Sequence, residues 1–332
     1  MNNQINFQFL LQAFFTDRLM QQRQASEHTI ASYRDTFCLL FQFAQNRLNK
    51  EPSKLTIEDL GAPFIGAFLN YLEKSRGNSA RTRNVRLAAI HSFFKYVALH
   101  DPTHSSLIKG VLAIPTKRYS RKPIDFLTRD EVNALLIAPD ENTWAGRRDR
   151  VLMLLAVQTG LRVSELIGLT CQDIALGSGA HVRCKGKGRK ERCTPLRKEV
   201  IAALASWFVE QKGKASDPLF PNARGGALSR RGVEYLLCKH VDNASNRCTS
   251  LKNKNISPHV LRHTTAMELL QNGVDRSVIA LWLGHENPET TQMYLQANLK
   301  IKEQALEKTR PFNAKPGRYR PDDQILAFLK DL

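Results

Sequence analysis

Apolar residues recur at helical spacing along most of this chain. In the first third, Ile30, Tyr33, Phe37, Leu40, Phe41 and Ala44 follow a 3.6-residue period. The run "TIED" at Thr56 has the form of a capping box with Asp59 in the acidic position. Phe64, Phe68 and Leu72 then mark a further helix. Ser79 is placed to cap "ARTRNVRLAAIHSFFKYVALH", in which Ile90, Phe94 and Val97 form an apolar stripe. The pattern stops at "IPTKRYSRKPID", where Pro115 and Pro123 disfavour helix at both ends.

A second series of elements follows. "LTRDEVNALL" opens a helix with Thr128 as cap and Glu131 three residues on. "RDRVLMLLAVQTG" is apolar on nearly every side, so it reads as a buried helix that Gly160 ends. "HVRCKGKGRKERCTPL" predicts two short strands around a Gly-rich basic turn. The helix "RKEVIAALASWFVEQ" leads to a polar stretch, "NASNRCTSLKNKN", expected as an exposed loop. Gly273 ends the helix "SPHVLRHTTAMELLQNG", and Gly284 ends "DRSVIALWLGH". Trp282, just before that second glycine, is expected in the core. Asn287 and Pro288 suit the first positions of a helix carrying Tyr294. The final run, "PDDQILAFLKDL", has Pro321 at a helix start, two aspartates in the first turn and an apolar face.

Composition adds a partner to this picture. The 332 residues suffice for two ordinary cores, and 42% of them are hydrophobic, as in a globular protein. Lys+Arg number 49 against 31 Asp+Glu, a formal net charge of +18. Such an excess repels itself unless a polyanion shares it, so nucleic acid is the leading partner and an anionic membrane surface the runner-up. No apolar run approaches the roughly 18 residues that span a bilayer, and the N-terminus lacks signal-peptide features. The six cysteines contain no CxxC pair, which fits reduced thiols in a cytoplasm. Cys184 and Cys193 could face each other across the hairpin; packing as small hydrophobes is the favoured reading.

The basic residues are not evenly spread. Arg81, Arg83 and Arg86 crowd the N-terminal half of their helix, as for docking on phosphates or in a major groove; a solvated basic face is the alternative. Lys117, Arg118, Arg121 and Lys122 fill the proline-bounded segment, an extended linker suited to lie along a nucleic-acid backbone. Arg162 follows a helix-ending glycine. Lys187 sits at a hairpin tip between Gly186 and Gly188. His259 and Arg262 lie near the start of one helix, His285 just past the end of another, and Tyr294 in the first turns of a third. Two arginines, a lysine and two histidines are what a phosphodiester transition state needs: guanidiniums match its non-bridging oxygens, and a lysine or histidine can protonate the leaving oxygen. No metal set replaces them. His259 and His263 could share a helix face, but Arg262 between them opposes a dication; His263 is read as structural.

"TGLRVSELIGLT", "VRCKGKGRKERCTPL", "HVLRHTTAMELLQNGVDRSVIALWLGH" and "TTQMYL", in this order and spacing, resemble the tyrosine recombinase (phage integrase) family, and within it the Xer-like members. The resemblance covers nearly the whole chain. It implies a mainly α fold with an α+β catalytic domain and a small β-hairpin sheet, arranged as a two-domain DNA clamp. The expected divisions are a helical SAM-like core-binding domain over 1–114, the linker over 115–123, the catalytic domain over 124–310, and a tail with a short helix over 311–332.

By that resemblance Arg162 is the first catalytic arginine, with Glu165 as its acidic partner. Lys187 matches the hairpin lysine, His259 and Arg262 the HxxR pair, His285 the second histidine, and Tyr294 the nucleophile. Arg189, Lys190 and Arg192 are expected to meet phosphates, with a solvated hairpin as the alternative. The implied chemistry is DNA strand cleavage and rejoining through a 3′-phosphotyrosine and a Holliday junction, with neither metal, ATP nor other cofactor. The implied partner is double-stranded DNA with paired half-sites, bound by a tetramer of this chain or of this chain and a paralogue that exchange their tails. A transposase of the same chemistry, a type IB topoisomerase and a non-catalytic DNA-binding protein on this scaffold are the competing readings. The place of action would be the cytoplasm, at the nucleoid.

Overall fold

The computed structural model describes residues 6–120, 124–186 and 191–284. The chain divides into two compact units, Met1–Arg121 and Lys122–Leu332.

The first unit is helical throughout. Helix α1 (Phe7–Ala13) runs directly into a π-helical segment, Phe14–Gln22, and is followed by α2 (Glu27–Leu48), α3 (Ala62–Lys74), α4 (Ala80–His100) and α5 (Ser105–Leu112). Two hydroxyl caps set the helix starts: Ser26 accepts from the Thr29 N–H, and Ser79 accepts from the Thr82 N–H. The "TIED" box does form in part, with the Thr56 N–H donating to Asp59 at 3.0 Å. It starts only a short 3₁₀ turn, Glu58–Leu60, and the longer helix begins beyond Gly61. The core of this unit is aromatic. Phe14, Phe37 and Phe93 meet edge to face at centroid distances of 5.3–6.4 Å, an arrangement that adds to the area each ring buries.

The second unit holds α6 (Arg129–Ile137), α7 (Trp144–Thr159), α8 (Val163–Ile167), strands β1 (Ile174–Ala175), β2 (His181–Lys185) and β3 (Glu191–Pro195), then α9 (Lys198–Gln211), α10 (Arg230–Ser245), α11 (Pro258–Gln271) and α12 (Arg276–Leu283). The capping box at Thr128 forms, with both Thr128 and Glu131 accepting from backbone N–H groups. The sheet is antiparallel in the order β1-β2-β3, one strand more than the hairpin read from the sequence. The register pairs Cys184 with Arg192 and Arg183 with Cys193. Adjacent strand positions point to opposite faces, so Cys184 is buried and Cys193 exposed, and the two thiols do not face each other.

Helix α7 is buried along most of its length and forms the centre of an aliphatic core with Leu135, Leu204, Leu237 and Leu261. Its end, Gly160, has φ +64°, and a Cβ there would stand 2.6 Å from Leu283 Cδ2. Only a glycine lets the end of α7 meet the end of α12 this closely. Trp282 packs, partly buried, on a second small cluster of Met267, Leu270, Ile279 and Leu283. The polar stretch over 243–255 is not the loop its composition predicts. It completes α10 and forms a 3₁₀ turn, Thr249–Asn253, pinned by fully buried Leu251 and by Ser250 and Lys254, which bond the Glu131 carboxylate at 2.6 Å each. A single apolar residue and one buried acid outweigh the surrounding polarity.

Candidate active site

The close approach of α7 and α12 creates a place where backbone carbonyls end without helical partners. Arg262, on the first turns of α11 and 4% exposed, fills it: its Nη1 donates to the Gly160 carbonyl and its Nη2 to the Leu283 carbonyl, both at 2.6 Å. Thr265, one turn on, donates to the Val157 carbonyl at 2.6 Å. Arg262 is thereby fixed as a rigid fork on the C-terminal ends of two helices, where a cation is favoured by the helix dipole.

Arg162 lies at the start of α8, two residues past Gly160. Its Nη1 donates to Glu165 Oε1 at 2.8 Å and its Nη2 to the Gly284 carbonyl at 3.0 Å. Of a guanidinium's five N–H donors, these bonds engage two. Glu165 also accepts from the Arg162 backbone N–H at 2.8 Å. Burial opposes ionisation of Glu165, but hydrogen bonds from Arg192 and from Arg162 outweigh it and hold the carboxyl below its usual value.

His259 stands one turn before Arg262 on the same helix and is exposed. Desolvation by the surrounding protein comes first, then the positive charges of Arg230, Arg262 and Arg162, and together they hold its imidazole below its ordinary value. It is therefore neutral near pH 7 and able to accept a proton. The charges of the expected pair Arg162 and Arg262 both act on it. Arg230, in the first turn of α10, is not among the residues that the sequence patterns single out. Its signal resembles that of α4: a serine cap, here Ser229, followed at once by arginines.

His263 is half-buried in α11, with its imidazole pushed down to about 4 by burial and by the charges of His259 and Arg262. Lys187, Arg189, Lys190, His285 and Tyr294 lie outside the described residues, as do Arg121, Lys122 and the tail over 311–332 with its expected helix.

The arginines of the first unit require a correction. Arg83 is only 6% exposed, donates to the Pro115 carbonyl at 3.3 Å and pairs with Glu73 at 3.6 Å. Arg86 Nη1 donates to the Ser32 carbonyl at 2.9 Å and to Thr36 Oγ1 at 3.0 Å, joining α4 to α2. Both point into the unit, and each gives its Nη1 to backbone and side-chain acceptors of that unit. Arg81 stays exposed. It lines an open groove with Asn84, Val85, Lys117, Arg118 and Tyr119. Asn84 bonds the Lys117 backbone on both sides, at 2.8 and 3.0 Å. The linker thus begins as a strap tied to α4 rather than as a free chain. Lys117 itself pairs with Glu73 at 2.7 Å while half exposed.

The phage integrase family model matches residues 125–300, and the model of the phage integrase N-terminal SAM-like domain matches 13–100. The chain belongs to the phage integrase family of tyrosine recombinases. Among its relatives is an integrase/recombinase-like protein, y4rC, of Sinorhizobium fredii, 58% identical over 97% of this chain and 97% of the relative. The tyrosine recombinase XerC of Pelobacter propionicus is 35% identical over 90% of this chain and 94% of the relative. The XerH site-specific recombinase bound to palindromic difH substrate shares the fold, with a TM-score of 0.66 at 24% identity over 86% of this chain and 81% of that one. Among the described residues no helix of this family member is long and apolar enough to cross a membrane.

Proposed function

We propose that the protein is a site-specific DNA recombinase that cuts and rejoins strands through Tyr294. The observation that carries this reading is the convergence of Arg162 and Arg262, both guanidiniums braced on the carbonyls where α7 and α12 end, with their charges acting on His259. Such preorganised donors stabilise charge that develops on a phosphate in the transition state. The Tyr294 oxygen attacks phosphorus, the bond to the 5′-oxygen breaks, and a 3′-phosphotyrosine remains. Lys187 gives a proton to the leaving 5′-oxygen, while neutral His259 takes up the tyrosine proton, assisted by His285. A 5′-hydroxyl from a partner strand reverses the step. Because the phosphotyrosine keeps the bond energy, neither ATP nor a metal ion enters the balance.

Duplex DNA is held by the charge of the first unit's groove, with Arg81 and Arg118 on phosphates, and by Arg189 and Lys190 of the hairpin. Assembly is as a tetramer of this chain, or of this chain with a paralogue, through the helix at 321–332. Action is at the nucleoid. The relatives' names and the solved relatives held on DNA support a recombinase over a module that only binds.

The test uses a duplex selected from a random-sequence pool by the wild-type protein. Two differently labelled copies are incubated with the protein in EDTA and without nucleotide. The expected result is exchanged strands and four-way junctions. Relaxation of supercoils without exchange would instead indicate a topoisomerase, and a shifted band without any cleavage would overturn the catalytic reading.

A further inference from the structure

Arg162 is held by two groups, the Glu165 carboxylate and the Gly284 carbonyl, and Arg192 touches both residues. From β3, Arg192 Nη1 and Nη2 donate to the two oxygens of Glu165 at 3.0 and 2.8 Å. This is a bidentate pair with side chains only 12% and 3% exposed. The same guanidinium lies so close to Gly284 that a Cβ there would stand 2.7 Å from Arg192 Nη1. Gly284 also has φ +64°, so both backbone and neighbour demand glycine. With both Nη atoms on a carboxylate and a buried Nε, Arg192 does not have the exposed fork that the sequence leads one to expect of a phosphate ligand.

The charges explain what this arrangement accomplishes. Glu165 facing Arg162 alone would form a neutral pair, and the carboxylate would draw the guanidinium into its own bidentate geometry. Arg192 occupies both carboxylate oxygens, and the Arg162 backbone N–H also takes Oε2, so the Arg162 guanidinium shares only Oε1. Two guanidiniums on one carboxylate leave a net positive charge at the site, and three Arg162 donors remain to meet a phosphate.

We infer that Arg192 is a positioning residue: by saturating Glu165 and packing on Gly284, it keeps Arg162 turned toward the scissile phosphate. The inference rests on the reading of Arg162 as a phosphate ligand given above.

The test is single-turnover cleavage of a nicked form of the wild-type-selected duplex at saturating protein, beside binding at several salt concentrations. Covalent adduct formation by the wild-type protein is the control; its absence would count against the functional reading rather than against Arg192. Arg192→Met is expected to slow cleavage about 10²-fold, the scale of removing one oriented donor. Its affinity and salt slope should stay at the wild-type values. Arg192→Lys should also be slow, because an ammonium cannot span two carboxylate oxygens. The distinguishing variant is Arg192→Met combined with Glu165→Gln. Removing the carboxylate that traps Arg162 should make this double variant about tenfold faster than Arg192→Met alone, whereas a purely structural role predicts a further slowing. Should Arg192→Met fail to fold, Arg192→Lys and its combination with Glu165→Gln provide the same comparison. The inference is overturned if cleavage by Arg192→Met stays within twofold of wild type, or if the Glu165→Gln change gives no recovery. It is equally overturned if the salt slope falls by about 0.9, the signature of one fewer phosphate neutralised.

Discussion

Both units place arginines just after a serine-capped or glycine-marked helix boundary, and both spend guanidinium donors on backbone carbonyls. The outcomes differ. In the first unit Arg83 and Arg86 reach inward, to Pro115 and to Ser32 with Thr36, and join the strap and α2 to α4. In the second unit Arg162 and Arg262 use the same kind of bond on Gly160, Leu283 and Gly284, but all three carbonyls lie where helix ends meet. A carbonyl along a packed interface yields a structural staple. Carbonyls at a helix–helix meeting point yield a pair of aimed cations. What distinguishes the two arginines proposed to be catalytic is therefore less their own chemistry than that the anchors of one converge with those of the other.

That comparison can be broken by mutation. The largest effect is expected at the convergent pair. Arg162→Lys and Arg262→Lys should each slow cleavage about 10²–10³-fold per folded molecule, with half-site binding little changed, as measured on the nicked duplex. If either retains near-wild-type cleavage, convergence is not what matters. Arg86→Met should do the opposite. It strands the Ser32 carbonyl and Thr36 and should cost about 1–3 kcal/mol of stability, seen as a lower melting temperature, while cleavage per folded molecule stays within twofold.

A smaller effect concerns pH. His263 binds its proton only near pH 4 when folded, but near about 6.5 when unfolded. Between those values the unfolded chain holds more protons, so this contribution to stability is complete above about pH 6.5 and declines toward pH 4. His259 and Arg262 face His263 with positive charge and Asp125 with negative charge. Melting temperature should fall through that window, and His263→Gln should flatten the fall; an unchanged profile would mean that His263 is not the group responsible. The smallest effect belongs to the groove of the first unit. Neutralising Arg81 and Arg118 together should lower the log–log salt slope of binding by up to about 0.9 for each phosphate they neutralise. An unchanged slope would leave the groove a solvated basic face.

Much of this is legible in the sequence because local chemistry decides it. Ser79, Thr128, Gly160 and Gly284 punctuate helices through their own hydroxyls or through positive φ, and each does so here. Glu165 is legible as the partner of Arg162 through the family resemblance of "TGLRVSELIGLT", and the two side chains do pair. Sequence and structure part where a distant partner decides. Nothing local tells Arg83 from Arg81; two positions along α4 turn one inward to Pro115 and leave the other at the surface. Arg192 looks like part of a basic hairpin, yet Glu165, 27 residues earlier, takes its guanidinium. The segment over 243–255 reads as a loop because polar residues outnumber Leu251, although Glu131 and the core hold it in place.

Whether these cations serve a tyrosine attacking phosphate is tested most directly by locating the protein–DNA bond. Wild-type protein trapped on the nicked duplex is digested with protease, and the DNA-linked peptide is sequenced by mass spectrometry. The expected result is one linked peptide, with the nucleotide on Tyr294 through its 3′-phosphate, and no linked peptide from Tyr294→Phe. Attachment at any other residue, or an adduct of equal yield from Tyr294→Phe, would contradict it.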